Sequence, residues 1–462
     1  MPSEIRGLNE ACGIFGVWGH KDAASMVYYG LHALQHRGQD GVGMVSKNSS
    51  ILTRHRGTGL ATEVFTKEIL DKMMGTAAIG HVRYAMEGTH NQDGYQPRLF
   101  HFEKSSLAIC HNGALVNSHE LRHDLEEDGS IFQTTSDAET LAHLIRKSRD
   151  PLLLDKFKAA LGQIKGAYAF LLLTQKKMIA ARDPHGTRPL VIGKIGSLIG
   201  SSYVIASETC AFDTVGAKYV RDVAPGEIVI IDDSGIRFDT FAQDTRMAVC
   251  SMEFVYFARP DSNIHGVNVH SSRKNIGRTL FAESPTPTAD VVVGVPESGV
   301  SAAIGYAEAS GIPYEMGLIK NRYVARTFIV PSQELREQGV KMKLSAVRAI
   351  VDGKVVVLID DSIVRGTTSR RIVTLLKEAG AKEVHMKVAS PLLKHPCCYG
   401  VDLHTASELI AHTNTAEEIR QAIGADTLSF LSEAGLAKAV GIPCTAGGSG
   451  LCMACFDGEY QV

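Results

Sequence analysis

The sequence has no apolar run long enough to span a bilayer, which excludes a helical membrane protein. Residues 1–11 lack the apolar core of a secretory signal, so the expected compartment is the cytoplasm. There is no charge excess: 48 Lys and Arg stand against 50 Asp and Glu, a net charge of −2. That balance removes the electrostatic case for nucleic acid or an anionic membrane as a partner. A disulfide framework is missing as well. The nine cysteines are odd in number, and five of them (Cys397, Cys398, Cys444, Cys452 and Cys455) crowd the C-terminal end. Such crowding points to a metal or cluster site. What remains is an ordinary globular composition, 44% hydrophobic and 21% charged, over 462 residues, enough for two or three domains.

The chain is organised around residues 354–370. Val355 to Ile359 is an apolar run, β-branched except for Leu358, as a strand covered on both faces requires. Asp360 and Asp361 follow at its C-terminal end. A short loop then leads through Gly366, Thr367 and Thr368 into an amphipathic stretch, Ile372 to Ala379, expected to be a helix stopped by Gly380. Gly366 lets backbone N–H groups approach an anion, and the threonines add hydroxyl donors at a helix N-terminus. No Gly-Lys-Ser/Thr is present, so this is not a Walker loop. Two adjacent carboxylates would repel a phosphate, but they suit a ribose diol or a hydrated magnesium ion. The plainer alternative is an acidic turn followed by a Thr cap. The strand–Asp-Asp–Ser–x–x–Arg–Gly–Thr–Thr–helix order favours a sugar phosphate with a metal nearby.

A second such loop follows Asp290-Val-Val-Val-Gly-Val-Pro, where Glu297-Ser298-Gly299 precedes a helix expected over Val300–Ser310. Between the two strands, the basic segment from Lys320 to Lys343 reads as a flap over an anionic substrate, or else as a solvated loop. Upstream, Cys12 opens a short strand, and strands recur around Ile79–Tyr84 and Leu107–His111. The latter is expected to end at Asn112-Gly113. Helices are expected at Ala23–Leu34, Asn117–Glu127, Asp137–Lys147 and Leu152–Leu161, and further on at Ala416–Ile423 and Leu428–Glu433, with a strand-like run at Met252–Ala258. Many strands with few helices predict layered sheets covered by helices. A lone Cys heading a strand is usually a buried hydrophobe. Here it has possible partners: Asn112 and Gly113 as a donor pair for an oxyanion, Arg83 as a carboxylate clamp, and Asp137 as a helix cap or an acceptor for an ammonium.

Residues 354–370 closely resemble the phosphoribosyl diphosphate (PRPP) signature of the type I phosphoribosyltransferases, a resemblance running from about 250 to 435. It implies a doubly wound parallel sheet in which Asp360 and Asp361 meet the ribose hydroxyls. It also implies that Ser362, Arg365, Gly366, Thr367 and Thr368 hold the 5-phosphate, and that Ser298 joins the acidic pair near magnesium. Cys12-Gly-Ile-Phe-Gly, Gln35-His-Arg-Gly-Gln, Gly80-His-Val-Arg-Tyr, His111-Asn-Gly and Thr135-Ser-Asp resemble the glutamine amidotransferases with an N-terminal cysteine nucleophile. That implies an αββα sandwich over residues 12–245, preceded by a propeptide, 1–11, and followed by the transferase unit, 246–462. It implies Cys12 as nucleophile, its freed α-amine as base, Asn112 and Gly113 as oxyanion donors, and Arg83 and Asp137 on the glutamine α-carboxylate and α-ammonium. Arg37 and Gly38 would shape the pocket.

Cys452-Met-Ala-Cys455 reads as a redox pair, a zinc site or iron–sulfur ligands, and spacing alone does not separate the last two. The resemblance selects Cys250, Cys397, Cys452 and Cys455 as ligands of a [4Fe-4S] cluster. That is the pattern of glutamine phosphoribosyldiphosphate amidotransferases with a short propeptide. Cys398 and Cys444 stay open as substitutes. The same resemblance implies glutamine and PRPP as substrates, purine nucleotides as inhibitors, and a homo-oligomer, dimer or tetramer. Its rivals are a hexosamine- or asparagine-forming amidotransferase, and a non-catalytic PRPP-sensing regulator of the same fold.

Overall fold

Two antiparallel sheets stacked face to face build the first half of the chain. A computed structural model describes residues 12–84, 94–103, 105–197, 200–321, 344–403, 405–442 and 450–461. One sheet runs, in spatial order, through Lys218–Asp222, Val191–Ser197, Gly200–Ala206, Gly13–Trp18, Ala77–Arg83, Gly41–Asn48 and Ile51–Thr58. The other runs through Gly235–Thr240, Glu227–Asp232, Lys177–Arg182, Gly166–Thr174, Ser106–Leu115 and Arg98–His101. Alternation along each strand sorts its side chains between two cores. Ile14 and Trp18 face the opposing sheet, sharing a core with Ile79 of their own sheet and with Cys110 and Leu171 of the other. Phe15 and Val17 face outward onto the helix Ala23–Ala33. Helices Ser118–Glu127, Asp137–Lys147 and Leu153–Leu161 cover the second sheet's outer face. The result is the αββα sandwich expected from the sequence.

The second half is a parallel sheet in the order Val291–Gly294, Val355–Asp360, Glu383–Val388, Thr427–Phe430. Both faces are covered. Val356 and Leu358 pack beneath Ile372, Leu376 and Ile419. Val357 and Ile359 pack beneath Ile276, Leu280 and Ala303 on the helices Val269–Glu283 and Val300–Ser310. That double coverage is why these strands are apolar without alternation. A two-residue strand, Val249–Cys250, pairs with Leu451–Cys452 and ties the chain's end to the junction of the halves.

Three sequence expectations are corrected. Met252–Ala258 was expected as strand-like, but Glu253–Phe257 is a π-helical turn in which the Ala258 N–H donates to the Glu253 carbonyl. A segment buried on all sides has no periodicity to separate helix from strand. The turn is held by Arg273, which donates to the carbonyls of Phe254 and Ala258 at 2.7 and 2.8 Å. A helix was expected at Leu428–Glu433, but Thr427–Phe430 is the sheet's fourth strand, and the helix begins at Glu433. Pairing with Glu383–Val388 outweighs local preference there. The strand expected to end at Asn112-Gly113 continues to Leu115, because Ala114 and Leu115 still pair with Ala167 and Gly166. The propeptide, flap residues 322–343 and Cys444 lie outside the described residues.

Candidate active sites

Cys12 sits at the head of Gly13–Trp18, whose Gly13 pairs with Val82. Arg83 therefore lies beside it on the neighbouring strand. Cys12 is half-buried. Burial pushes its thiol up, opposed by the Tyr84 N–H and by the guanidiniums of Arg83, Arg37 and Arg188. Across the sandwich, the Cys110 Sγ approaches the Gly80 carbonyl at 3.8 Å, and Cys110 faces the shared core with Ile14. Two residues further along the same strand, and on the same face as Cys110, is Asn112. Asn112 is fully buried, and neither its Oδ1 nor its Nδ2 has a hydrogen-bond partner among the described residues. A buried amide without partners is costly.

Asp137 does not cap its helix with its side chain. Its Oδ2 accepts from the Leu115 N–H at 3.0 Å, and His111 Nε2 lies 3.6 Å away. Burial opposes ionisation, but His111, Ser118 and the Leu115 N–H outweigh it and hold the carboxyl below its ordinary value. The carboxylate thus stays charged beside the strand that carries Gly113.

Arg37 and Gly38 lie against the Cys12 and Arg83 backbones. Arg37 is fully buried; its Nε donates to the Cys12 carbonyl at 3.2 Å, and its terminal nitrogens engage Glu208 and Glu253 at 2.6–2.8 Å. A side chain at Gly38 would meet the Arg83 carbonyl carbon at 2.4 Å, so glycine is what lets the Arg83 backbone pass. Glu208, Glu253 and Arg188 were missed in the sequence. The available signal was a lone charge inside an apolar or small-residue run, as in Met252-Glu-Phe-Val-Tyr-Phe.

In the second half, Gly294 pairs with Ile359, so the loops after both strands lie side by side at the carboxyl edge, where open parallel sheets bind ligands. Asp360 and Asp361 are buried together. Burial and the neighbouring carboxylate push Asp360 well up. Burial also raises Asp361, although Ser298, Ser362 and Arg273 oppose it. Ser298 and the acidic pair therefore converge. Gly366 adopts φ +73° at the N-cap of Thr367–Glu378, with Thr367 and Thr368 partly exposed in the first turn. Arg365 pairs with Glu408 at 2.6 Å, on a segment that packs against this loop through Ile410.

Cys250, Cys397, Cys452 and Cys455 line one small, largely apolar cavity with Thr187 and Tyr399. Cys250 and Cys452 are brought opposite each other by strand pairing, and the Tyr399 N–H donates to Cys397 Sγ at 3.3 Å. Cys398 is exposed and does not line the cavity. Among the described residues, no group of three His, Cys, Asp or Glu side chains is arranged around a point to hold a metal ion.

Comparison with known proteins agrees with this division. A family model described as a glutamine amidotransferase domain matches residues 81–214, and one described as a phosphoribosyl transferase domain matches residues 272–425. The chain is 59% identical to the amidophosphoribosyltransferase of Bacillus subtilis, covering 100% of this chain and 96% of that one. It is 50% identical to that of Staphylococcus epidermidis, covering 99% and 92%. A solved structure of the B. subtilis glutamine PRPP amidotransferase, complexed with ADP and GMP, superimposes with a TM-score of 0.93 at 58% identity, covering 97% of each chain.

Proposed function

The chain belongs to the amidophosphoribosyltransferase family, and on that premise we propose how its residues convert glutamine and PRPP into glutamate, diphosphate and 5-phosphoribosylamine. This is the first committed step of de novo purine synthesis. The Cys12 thiolate attacks the side-chain amide carbon of glutamine, giving a thioester and ammonia, and water then releases glutamate. The α-amine of Cys12, freed by removal of residues 1–11, takes the thiol proton. A thiol of pKa about 8.5 is mostly protonated at neutral pH, whereas an α-amine near 7.7–8.0 is partly free to act as base. Asn112 and the Gly113 N–H hold the oxyanion. Arg83 binds the α-carboxylate and Asp137 the α-ammonium, while Arg37 and Gly38 support Cys12 and Arg83 from behind. One observation carries this half of the reading: the buried amide of Asn112, unpartnered at both atoms, beside the strand that Cys12 opens.

In the second half, ammonia displaces diphosphate from C1 of PRPP. Asp360 and Asp361 accept from the ribose hydroxyls. Ser362, the Gly366 backbone, Thr367 and Thr368 hold the 5-phosphate, with Arg365 at the loop's edge. Ser298, Asp360 and Asp361 would hold magnesium, which neutralises charge on the departing diphosphate. The raised carboxyls fit that role, since a cation beside them would favour the charged form that burial disfavours. Cys250, Cys397, Cys452 and Cys455 would hold a [4Fe-4S] cluster that ties the C-terminal tail to the junction of the halves. Four thiols lining one cavity support this reading.

Residues 12–245 and 246–462 are the two catalytic domains of this reading. Purine nucleotides would inhibit by occupying the phosphate loop; the B. subtilis relative was solved with ADP and GMP. The active form would be a cytoplasmic homodimer or homotetramer. Among the described residues no helix is long and apolar enough to cross a membrane. A non-catalytic PRPP sensor is not favoured, because such a protein needs neither Cys12 nor Asn112. The test is release of glutamate and diphosphate that depends on both glutamine and PRPP. Mass spectrometry should find Cys12 as the first residue of active enzyme. Glutaminase activity from chains that still begin at Met1 would overturn the assignment of the base.

A further inference from the structure

Two residues of the second half touch the backbone of the glutamine site. Glu253 takes both terminal nitrogens of Arg37, at 2.7 and 2.8 Å, and Arg37 Nε donates to the Cys12 carbonyl at 3.2 Å. Both charged side chains are fully buried, so neither can exchange its partner for water. Glu208, from the first half, also accepts from Arg37 at 2.6 Å. The guanidinium would therefore remain paired without Glu253 and would lose only its orientation.

The second contact is steric. Gly400 lies against Gly113: a Cβ on it would stand 2.9 Å from the Gly113 carbonyl carbon and 3.2 Å from the Ala114 nitrogen. Its φ of +99° suits glycine alone. The Gly400 loop is anchored by Arg188, whose Nε and Nη2 donate to the Tyr399 carbonyl at 3.1 and 2.6 Å. Arg188 Nη1 also lies 3.6 Å from Glu253, so one buried charge cluster joins both contacts.

We propose that Glu253 and Gly400 are positioning residues for glutamine hydrolysis. Glu253 fixes the Cys12 main chain through Arg37, and Gly400, packed on the Gly113 Cα and carbonyl carbon, fixes the backbone that carries the Gly113 N–H. The glutamine site is then complete only when the second half is docked. This deepens the reading of Cys12 as nucleophile and Gly113 as oxyanion donor, and it rests on that reading.

The experiment compares Glu253→Gln, Glu253→Asp and Gly400→Ala in full-length, processed enzyme. It measures synthesis from glutamine, synthesis from ammonia, and alkylation of Cys12 by iodoacetamide. In Gly400→Ala the glutamine kcat should fall roughly tenfold or more with KM nearly unchanged, since the defect lies in the transition state. Alkylation, which uses no oxyanion hole, should keep its rate. In Glu253→Gln both kcat and alkylation should slow, with partial recovery in Glu253→Asp. Synthesis from ammonia should stay within about twofold in all three. The proposal is overturned if Glu253→Gln and Gly400→Ala keep the parent glutamine kcat, or if their ammonia rates fall in parallel, which would mean a general packing defect. Cys12→Ala is the control: if it still used glutamine, the nucleophile assignment itself would fail.

Discussion

Replacing Asn112 by leucine should move stability and catalysis in opposite directions. The side chain is fully buried and neither amide atom has a partner among the described residues. An unsatisfied buried polar group costs about 1–3 kcal/mol. Leucine has a similar size and no polar atoms, so Asn112→Leu removes that cost at both atoms. Imperfect fit of the branched side chain between the sheets returns part of the gain. A net stabilisation of about 1–2 kcal/mol follows, or about 2–4 °C in the melting midpoint per kcal/mol for a domain of this size. The same change removes an oxyanion donor, which costs ~100- to 1,000-fold in kcat. Differential scanning calorimetry and a glutaminase assay on the same preparation read both effects, with ammonia-dependent synthesis as the control. A variant that melts several degrees lower while hydrolysing glutamine normally would refute the reasoning, because Asn112 would then be a structural residue with partners of its own.

Gly366→Ala places a Cβ at φ +73° and 2.9 Å from Ile410 Cδ1, so the loop should shift at a cost of about 1 kcal/mol. The KM for PRPP should rise ~10-fold while Cys12 alkylation is unaffected. Lys387 is buried against Ser284 and Ser429, and unopposed desolvation lowers it to about 8. The unfolded chain therefore binds its proton more tightly between about pH 8 and the ordinary lysine value. The cost is full below pH 8 and fades as pH rises. Lys387→Met should be more stable than the parent by about 2 kcal/mol at pH 7, with the difference vanishing towards pH 10.5; equal pH profiles in urea melts would contradict this. Cys397→Ser should lose iron, acid-labile sulfide and brown colour, whereas Cys398→Ser should retain all three, as elemental analysis after anaerobic purification will read. Stoichiometric zinc in the parent would refute the cluster.

The local chemistry was legible in the sequence wherever one segment contains its own site. The strand Val355–Asp360, the acidic pair and the Gly366–Thr368 loop are contiguous, so spacing alone places the carboxylates at a sheet edge and the donors at a helix start. Asp137–Lys147 and Val300–Ser310 form helices over the expected residues because an acidic first turn and a basic last turn bracket the one and Gly311, at φ +74°, stops the other. Met252–Ala258 and Leu428–Glu433 did not read correctly, because in both a long-range partner overrides local preference: Arg273 in the first, the strand Glu383–Val388 in the second.

By itself, then, the sequence determined which residues could react and which short loops could cradle an anion, since both depend on neighbours along the chain. Only the tertiary structure decided that Arg37 serves Cys12 from behind, that Arg365 turns to Glu408, and that Cys397 rather than Cys398 joins the thiol cavity. It also decided that Glu253 reaches Arg37, and Gly400 reaches Gly113, from the other half of the chain. Burying charge forces each such group to find a partner wherever the fold supplies one, and sequence separation places no limit on that choice.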